Sequence, residues 1–208
     1  MPTYTTPIQA GAALTDIKMC SLRDNVGDNI SYKNATYCEL TALYWLWKNE
    51  PLPEYVGFNF YSRTFDFNEN QLSYILSNGI EAIVPEPAIV SCIHALPKIE
   101  QQNNRPIENF LERAIAKTHP DYIDTYCAVS NERIAVPSNI FILHKNIFND
   151  YVKWLFDIIT EYEDLLVKSE KEIPPRHTGY IAELLQTIYF LKNSSTLNIL
   201  FAKRRFFM

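Results

Sequence analysis

Apolar residues recur at every third or fourth position along several stretches of the chain, which is the spacing of one face of an α-helix. This pattern predicts helices over residues 37–48, 71–77, 106–118, 120–129, 146–168 and 178–192. Short runs rich in aromatic and β-branched residues predict strands over residues 8–14, 55–61, 80–84 and 139–143. Because strands and helices alternate, we expect a layered α/β fold with long helices towards the C-terminus.

Prolines and polar clusters separate these elements. Pro51 and Pro53 end the helix over residues 37–48, and Pro174 and Pro175 divide the two long helices. The segment over residues 88–105 shows the least regular pattern, and its polar residues 100–104 predict a mobile loop.

Residues 197–207 form an aromatic and basic tail with two possible roles. In the first, the tail is a final strand or helix docked on the core, with three exposed cations. In the second, it is a peripheral membrane anchor, in which Phe side chains enter the interface and Lys and Arg meet anionic lipid.

Length and composition predict one folded domain over residues 1–208. Of the 208 residues, 47% are hydrophobic and 21% are charged, which is ordinary for a globular protein. The net charge of −5 disfavours a general nucleic-acid binder, which normally has a basic surplus. Four cysteines without a C-x-x-C pair indicate neither a zinc site nor a disulfide framework.

Three features predict a cytoplasmic location. The cysteine spacing suits a reducing compartment. No apolar run is long enough to span a bilayer, and the N-terminus lacks the basic and then apolar segments of a secretory signal. The basic tail offers an alternative within the same compartment, in which the protein is attached to the inner face of the membrane.

Residues 27–49 carry the most informative pattern, because polar turn residues stand directly before a dense aromatic helix. Glu39 and Lys48 lie within or beside the aromatic face of that helix. A buried charge costs several kcal/mol unless it is paired. Glu39 is therefore expected either to pair with Lys48 or Arg63, or to have a functional role.

Several motifs occur in an order that resembles one known family. Residues 7–14 read PIQAGAAL, residues 24–31 read DNVGDNIS, and residues 37–49 contain YCELT and YWLWKN. Residues 120–122 read PDY and residues 179–183 read GYIAE. Over most of its length the chain resembles a bacterial family of glycosyltransferase-like proteins, domain of unknown function 4422, which occurs in capsule, lipopolysaccharide and exopolysaccharide gene sets.

The resemblance implies a GT-A-like domain that binds a nucleotide-sugar. It further implies transfer of a hexose to a glycan acceptor in surface-polysaccharide biosynthesis. The implied donor is a UDP-hexose, with UDP-galactofuranose as one candidate. Many GT-A enzymes hold a metal with an Asp-x-Asp pair after a central strand, whereas residues 59–63 here read NFYSR. A divalent metal is therefore not expected.

Glycosyl transfer needs charge neutralisation on the leaving diphosphate and, in an inverting enzyme, a carboxylate that deprotonates the acceptor hydroxyl. Under the resemblance, Glu39 and Arg63 are the predicted catalytic residues. The predicted donor-binding residues are Gly27, Asp28, Asn29, Tyr61, Arg176 and Glu183. Asp28 and Asn29 equally suit turn or capping roles, and exposed residues at a helix start, such as Arg176, usually do not reach a phosphate.

The chain also departs from the family pattern. The family has His-Tyr-Arg-Arg where this chain has Phe60, Tyr61, Ser62 and Arg63, and an Arg where this chain has Leu184. A first strand that family members carry before the PIQ motif is expected to be missing. These departures favour an alternative function, a catalytically inactive paralogue that acts as a binding or scaffold protein. A peripheral carbohydrate-binding module is a third possibility.

Overall fold

Short strands and longer helices alternate along the chain. The computed structural model describes residues 5–89, 109–132, 134–170 and 172–207. The strands are β1 (Ile8–Gln9), β2 (Leu22–Arg23), β3 (Tyr55–Phe58), β4 (Arg63–Phe65), β5 (Ala82–Pro85), β6 (Ala88–Ile89), β7 (Ile134–Ala135), β8 (Phe141–His144), β9 (Ile199–Ala202) and β10 (Arg204–Phe206). The α-helices are α1 (Asn34–Tyr37), α2 (Leu40–Asn49), α3 (Glu69–Ser77), α4 (Phe110–Thr118), α5 (Ile123–Glu132), α6 (Lys145–Lys168) and α7 (His177–Lys192).

A four-stranded mixed sheet with the order β3-β8-β5-β9 forms the centre of the fold. Strand β8 pairs antiparallel with β3 and β5, whereas β9 pairs parallel with β5. All four residues of β5 are buried, which is typical of a strand covered on both faces. Three two-stranded pairs surround this sheet: β1 with β2, β4 with β10, and β6 with β7.

Helices α4, α6 and α7 enclose the main hydrophobic core. In α6, apolar residues three or four positions apart are buried: Tyr151, Leu155, Ile158, Tyr162 and Leu166. Helix α7 is buried over most of its length. The mixed α/β architecture expected from the sequence is confirmed.

The long helices agree with their predicted limits to within one residue. Helices predicted over residues 146–168 and 178–192 are found at Lys145–Lys168 and His177–Lys192. The helix predicted over residues 120–129 begins as a 3-10 turn at Pro120–Tyr122 and continues as α5. Helix α4 begins at Phe110, where the Asn109 side chain accepts a hydrogen bond from the Glu112 backbone. Residues 106–108, and the predicted loop beyond β6, lie outside the described residues.

The helix predicted over residues 37–48 is interrupted. Cys38 has a φ of 53°, which ends α1 at Tyr37, and α2 starts at Leu40. The Asn34 amide holds the interruption, because it donates hydrogen bonds to the Cys38 carbonyl (2.6 Å) and to the Thr41 hydroxyl (3.1 Å).

Two predicted strands are shorter than expected. The strand over residues 55–61 ends at Phe58. The strand over residues 8–14 ends at Gln9, and a 3-10 turn follows at Ala12–Leu14. The buried Asp24 carboxylate causes this turn, since it accepts hydrogen bonds from the backbone of Gly11 (2.8 Å) and Ala12 (2.9 Å).

The tail is a pair of strands, so the expectation of a final element docked on the core is confirmed. The expectation of three exposed cations is wrong, because Arg204 is half-buried between the exposed residues Lys203 and Arg205. Strand β9 joins the central sheet, and β10 pairs with β4 so that Arg204 faces Phe65 and Phe206 faces Arg63. Within the described ranges, no helix combines the length and the apolar character needed to cross a membrane.

Candidate functional site

An open cleft of about 730 Å³ lies beside the end of β3. Its lining includes the turn between β3 and β4 and the segment over residues 5–10 with Met19 and Cys20. Cys38 and Glu39, at the junction of α1 and α2, also line the cleft, as does Arg176. Sites for small molecules commonly enclose about 300–1,000 Å³, so the cleft is large enough for a nucleotide-sugar.

A smaller hollow of about 30 Å³ shares part of its lining with the cleft. Five residues line both: Cys38, Glu39, Phe60, Arg63 and Arg176. Gly179, Tyr180 and Glu183, all on α7, line only the hollow. The hollow therefore adjoins the cleft and is lined on one part by helix α7.

The interruption at Cys38 places Glu39 at the start of α2 with its side chain in the cleft lining. Its carboxylate accepts a hydrogen bond from the Asn139 amide at 2.5 Å. Burial raises the pKa of Glu39, while the Asn139 hydrogen bond lowers it and Glu183 raises it further. Glu39 is thus a half-buried carboxyl that takes up a proton more readily than an exposed one.

The expected pairing of Glu39 with Lys48 or Arg63 is wrong. Asn139 is the hydrogen-bond partner of Glu39. The Lys48 ammonium instead lies over the Trp47 ring, 3.6 Å from its centroid. Lys48 extends along the aromatic face of α2, and this cation–π contact accounts for its position there.

A tight turn fixes Arg63 at the cleft. The backbone groups of Phe60 and Arg63 bond to each other in both directions, at 3.2 and 3.3 Å. The guanidinium carbon lies 4.6 Å from the centroid of the Phe60 ring, and Nη1 donates to the Ser138 hydroxyl at 2.9 Å. The Nε of Arg63 is buried and has no hydrogen-bond partner in the part of the chain that the structure describes.

Arg204, on the neighbouring strand β10, donates to the same hydroxyl, although it was not among the predicted site residues. Its Nη1 donates to Ser138 Oγ at 3.0 Å. Burial lowers the pKa of Arg204 and the charge of Arg63 lowers it further, whereas Glu183 raises it. No signal in the sequence distinguishes Arg204 from its cationic neighbours, since only the structure shows that Arg204 is half-buried while Lys203 and Arg205 are exposed.

Glu183 faces this group of arginines from α7. Burial raises the pKa of Glu183, and the charges of Arg63, Arg204 and Arg176 and a hydrogen bond from the Ser138 backbone lower it. The predicted site residues Glu39, Arg63, Arg176 and Glu183 are therefore brought together around the hollow, although 144 positions separate the first from the last (183 − 39).

Arg176 reaches the cleft from the start of α7. It has a φ of 63°, and its backbone N–H donates to the Ala35 carbonyl at 2.8 Å. Its side chain is exposed and lies 5.7 Å from the Tyr180 ring, and a hydrogen bond with that residue raises the pKa of Arg176. Tyr61, another predicted donor contact, is 81% exposed at the rim of the cleft.

The remaining predicted donor contacts, Gly27, Asp28 and Asn29, are not among the residues that line the cleft or the hollow. They form a turn closed by Asn49, whose side chain accepts from the Asp28 N–H (3.1 Å) and donates to the Asp28 carbonyl (2.8 Å). The Asp28 carboxylate accepts from the Tyr44 hydroxyl at 3.1 Å. Their contact with a donor stays a prediction.

The described residues contain no group of three or more His, Cys, Asp or Glu side chains placed to hold a metal ion. Around the hollow they contain two carboxylates, Glu39 and Glu183, beside the guanidinium groups of Arg63 and Arg176. Such a set can exchange a proton and can bind a phosphate through charged hydrogen bonds.

Comparisons with known proteins bear on the family and the fold of the chain. A family model described as Domain of unknown function (DUF4422) matches residues 1–194. The chain belongs to this family. The resemblance drawn from the motifs is thereby confirmed for a DUF4422 domain over nearly the whole chain.

One solved structure, described as the apo structure of WbbM, a bifunctional glycosyltransferase, is similar to this DUF4422 chain. The two share 27% sequence identity and superpose with a TM-score of 0.84. The match covers 99% of this chain and 42% of the WbbM chain, so this chain spans less than half of that protein. The fold is therefore glycosyltransferase-like. A comparison with curated proteins gave no match.

Proposed function

We propose that this chain is a glycosyltransferase that binds a nucleotide-sugar in the cleft and transfers the sugar to a glycan acceptor. One observation carries the proposal: the Glu39 carboxylate and the guanidinium groups of Arg63 and Arg176 line the same cleft. These are the two kinds of group that the reaction requires, a base for the acceptor hydroxyl and cations for the leaving diphosphate.

The arginines support a diphosphate as the charged part of the ligand. A guanidinium presents N–H donors in a planar fork that matches phosphate oxygens. Arg63 is held between the Phe60 ring and the Ser138 hydroxyl, so little side-chain freedom is left to lose on binding. In this proposal Arg63 and Arg176 offset the negative charge that develops as the bond from the sugar to the diphosphate breaks.

Glu39 is the proposed base. Its hydrogen bond with Asn139 fixes the carboxylate, and its place in the cleft lining gives it access to a bound acceptor. In the transfer step, the acceptor oxygen forms a bond to the anomeric carbon, its proton passes to Glu39, and the nucleoside diphosphate leaves with the bonding electrons.

The proposal also covers the donor, the biosynthetic role and the place of action. The similarity to WbbM supports glycosyl transfer. The family resemblance supports a GT-A-like nucleotide-sugar site, a UDP-hexose donor such as UDP-galactofuranose, and a role in making capsule or lipopolysaccharide. The proposed place of action is the cytoplasmic face of the membrane. Exposed aromatic side chains in the tail, Phe206 (60% exposed) and Phe207 (39% exposed), support peripheral contact there.

Calorimetry with UDP and several UDP-hexoses, with and without Mn²⁺, tests this function. We expect wild type to bind UDP, and the Arg63→Ala variant to bind it at least about tenfold more weakly because a charge-assisted contact is lost. Arg205→Ala is the matched control, since Arg205 is an exposed arginine that pairs with Asp66 outside the cleft lining. Absence of nucleotide binding by wild type would overturn the proposal.

A second candidate is a protein that binds the nucleotide-sugar without transferring it. The observation that favours it is Phe60, which lines both the cleft and the hollow and packs on Arg63 where a polar side chain would add a further phosphate contact. Release of UDP from bound donor in the presence of glycan acceptors separates the two candidates. If the donor binds tightly but acceptors release no more UDP than spontaneous hydrolysis does, the second candidate, binding without transfer, is favoured.

A further inference from the structure

The second strand of the tail places one arginine against the candidate site. Strand β10 pairs antiparallel with β4, the strand that begins at Arg63. Arg204 is half-buried in this pair, whereas its neighbours Lys203 and Arg205 are exposed. Burial of a guanidinium is unfavourable without compensation, so the structure around Arg204 must provide a reason for its position.

Ser138 is the immediate reason. Its hydroxyl oxygen has two lone pairs, and it accepts a hydrogen bond from Nη1 of Arg63 at 2.9 Å and from Nη1 of Arg204 at 3.0 Å. Ser138 itself is 1% exposed and has a φ of 69°. The Ser138 hydroxyl is therefore a buried acceptor that both guanidinium groups share.

The two guanidinium groups share one acceptor and therefore repel each other: burial lowers the pKa of Arg204, and the charge of Arg63 lowers it further. Glu183 lines the hollow together with Arg63 and compensates in part: burial raises the pKa of Glu183, and the charges of Arg63 and Arg204 oppose that rise. The lining of the hollow contains two arginines, Arg63 and Arg176, and two carboxylates, Glu39 and Glu183. Arg204, which donates to the Ser138 hydroxyl, therefore gives the cationic groups a majority of one. This surplus of positive charge would be neutralised by an anion in the adjoining cleft.

We propose that Arg204 is a positioning residue for the donor: through Ser138 it holds the Arg63 guanidinium at the cleft, and together the two cations favour a diphosphate over an uncharged ligand. The inference rests on the proposed function and extends it to a residue that does not line the cleft. It also gives the β4–β10 pair a role in binding.

The test compares two probes, UDP and uridine, on the full chain by calorimetry. We expect Arg204→Ala to weaken UDP binding about tenfold and to leave uridine binding unchanged, since uridine has no phosphate. A structural defect in the cleft would weaken both probes. Arg204→Lys should restore part of the UDP affinity, because it keeps the charge and a donor but not the planar fork. Arg205→Ala, on the same strand, should change neither.

A second readout needs no nucleotide. The Nε–H signal of Arg63 in a ¹⁵N spectrum reports how firmly its buried guanidinium is held. We expect its hydrogen exchange to accelerate in Arg204→Ala and in Ser138→Ala, and to stay as in wild type in Arg205→Ala. If Arg204→Ala fails to fold, Arg204→Gln, which keeps a donor and removes the charge, takes its place in both measurements.

The outcomes separate this inference from the proposed function. If Arg63→Ala weakens UDP binding but Arg204→Ala does not, the inference is overturned and the function stands. Equal losses for UDP and uridine, or an unchanged Arg63 signal, overturn it as well. If wild type binds no nucleoside diphosphate, the proposed function and the diphosphate preference are overturned together.

Discussion

Glu39 shows what a single side chain contributes to the proposed site. Its position as a charged residue at the edge of an aromatic helix was the signal in the sequence. The structure explains that position by the φ of 53° at Cys38, which redirects the chain, and by the hydrogen bond with Asn139. Neither the turn nor the partner, 100 positions away (139 − 39), could be read from the sequence around Glu39.

The raised pKa of Glu39 leads to a prediction for the pH dependence of transfer. A base must be deprotonated, so kcat/KM should rise with pH, with a midpoint above 4.5, the ordinary value for Glu. Glu39→Gln should reduce transfer by at least about a hundredfold, remove this limb of the profile and leave UDP affinity within about twofold. Steady-state rates from pH 4 to 8 measure the reduction in transfer and the pH profile, and calorimetry measures the UDP affinity.

Glu132→Gln is the control for Glu39→Gln, because Glu132 is an exposed carboxylate on α5 outside the cleft lining. Its profile should match that of wild type. If Glu39→Gln retained wild-type transfer, Glu39 would be excluded as the base, and Glu183 would be the next candidate.

The turn over residues 27–29 shows why polar residues in a loop are difficult to interpret from sequence. A side chain at Gly27 is disfavoured twice: φ is 62°, and a Cβ would lie 2.1 Å from Asn49 Oδ1. The Asp28 backbone bonds to Asn49 on both sides. Turn closure and ligand binding call for the same residue types, so only the tertiary contacts distinguish them.

At the scale of elements, the length of a periodic pattern decided how well it could be predicted. Helices α6 and α7 repeat their apolar spacing over many turns, and their limits were predicted within one residue. Strand β4 was not predicted, because its three residues carry too short a pattern and are paired by a strand about 140 positions away. The interruption at Cys38 contains no Gly or Pro that would have indicated it.

The contact between α6 and α7 leads to a prediction for stability against acid. His177, at the start of α7, is buried, and its Nε2 lies 2.7 Å from the Tyr162 hydroxyl on α6. Burial lowers the pKa of His177 from 6.5 to about 4. Below about pH 6.5 the unfolded chain therefore binds a proton that the folded chain does not, and the unfolding free energy falls as the pH drops towards 4.

This loss amounts to at most about 3 kcal/mol. Urea denaturation at about pH 7.5 and about pH 4.5 measures it in wild type and in His177→Gln. The variant should be less stable at the higher pH, and the difference from wild type should shrink at the lower pH. His144→Gln, at a half-buried position at the end of β8, is the control. If the difference in unfolding free energy between wild type and His177→Gln were the same at both pH values, the lowered pKa of His177 would be contradicted.

At the scale of the whole molecule, the sequence indicated the class of the fold but not the order of its sheet. Alternating patterns suffice to predict an α/β fold. The position of β9 beside β5, across more than a hundred residues, depends on packing between distant segments. The site shares this property, since Glu39, Arg63, Arg176 and Glu183 meet only once the sheet and α7 are assembled.

Membrane contact through the tail is a prediction at the same scale. Phe206 and Phe207 are exposed beside the basic residues Lys203 and Arg205. We expect the protein to sediment with anionic vesicles and not with neutral ones, and raised salt to release it. A Phe206→Ala, Phe207→Ala double variant should sediment less, while Tyr74→Ala, an exposed aromatic residue on α3, should behave as wild type. Equal binding to both vesicle types would contradict an electrostatic anchor.

The parallel pairing of β5 with β9 has a consequence for the newly made chain. Residues 199–202 leave the ribosome after both long helices, yet they complete one edge of the buried strand at residues 82–85. At about 5–20 residues per second, that edge stays open for on the order of ten seconds. Open strand edges pair readily with other chains, so a cell that makes much of this protein is expected to depend on chaperones that shield nascent polypeptides.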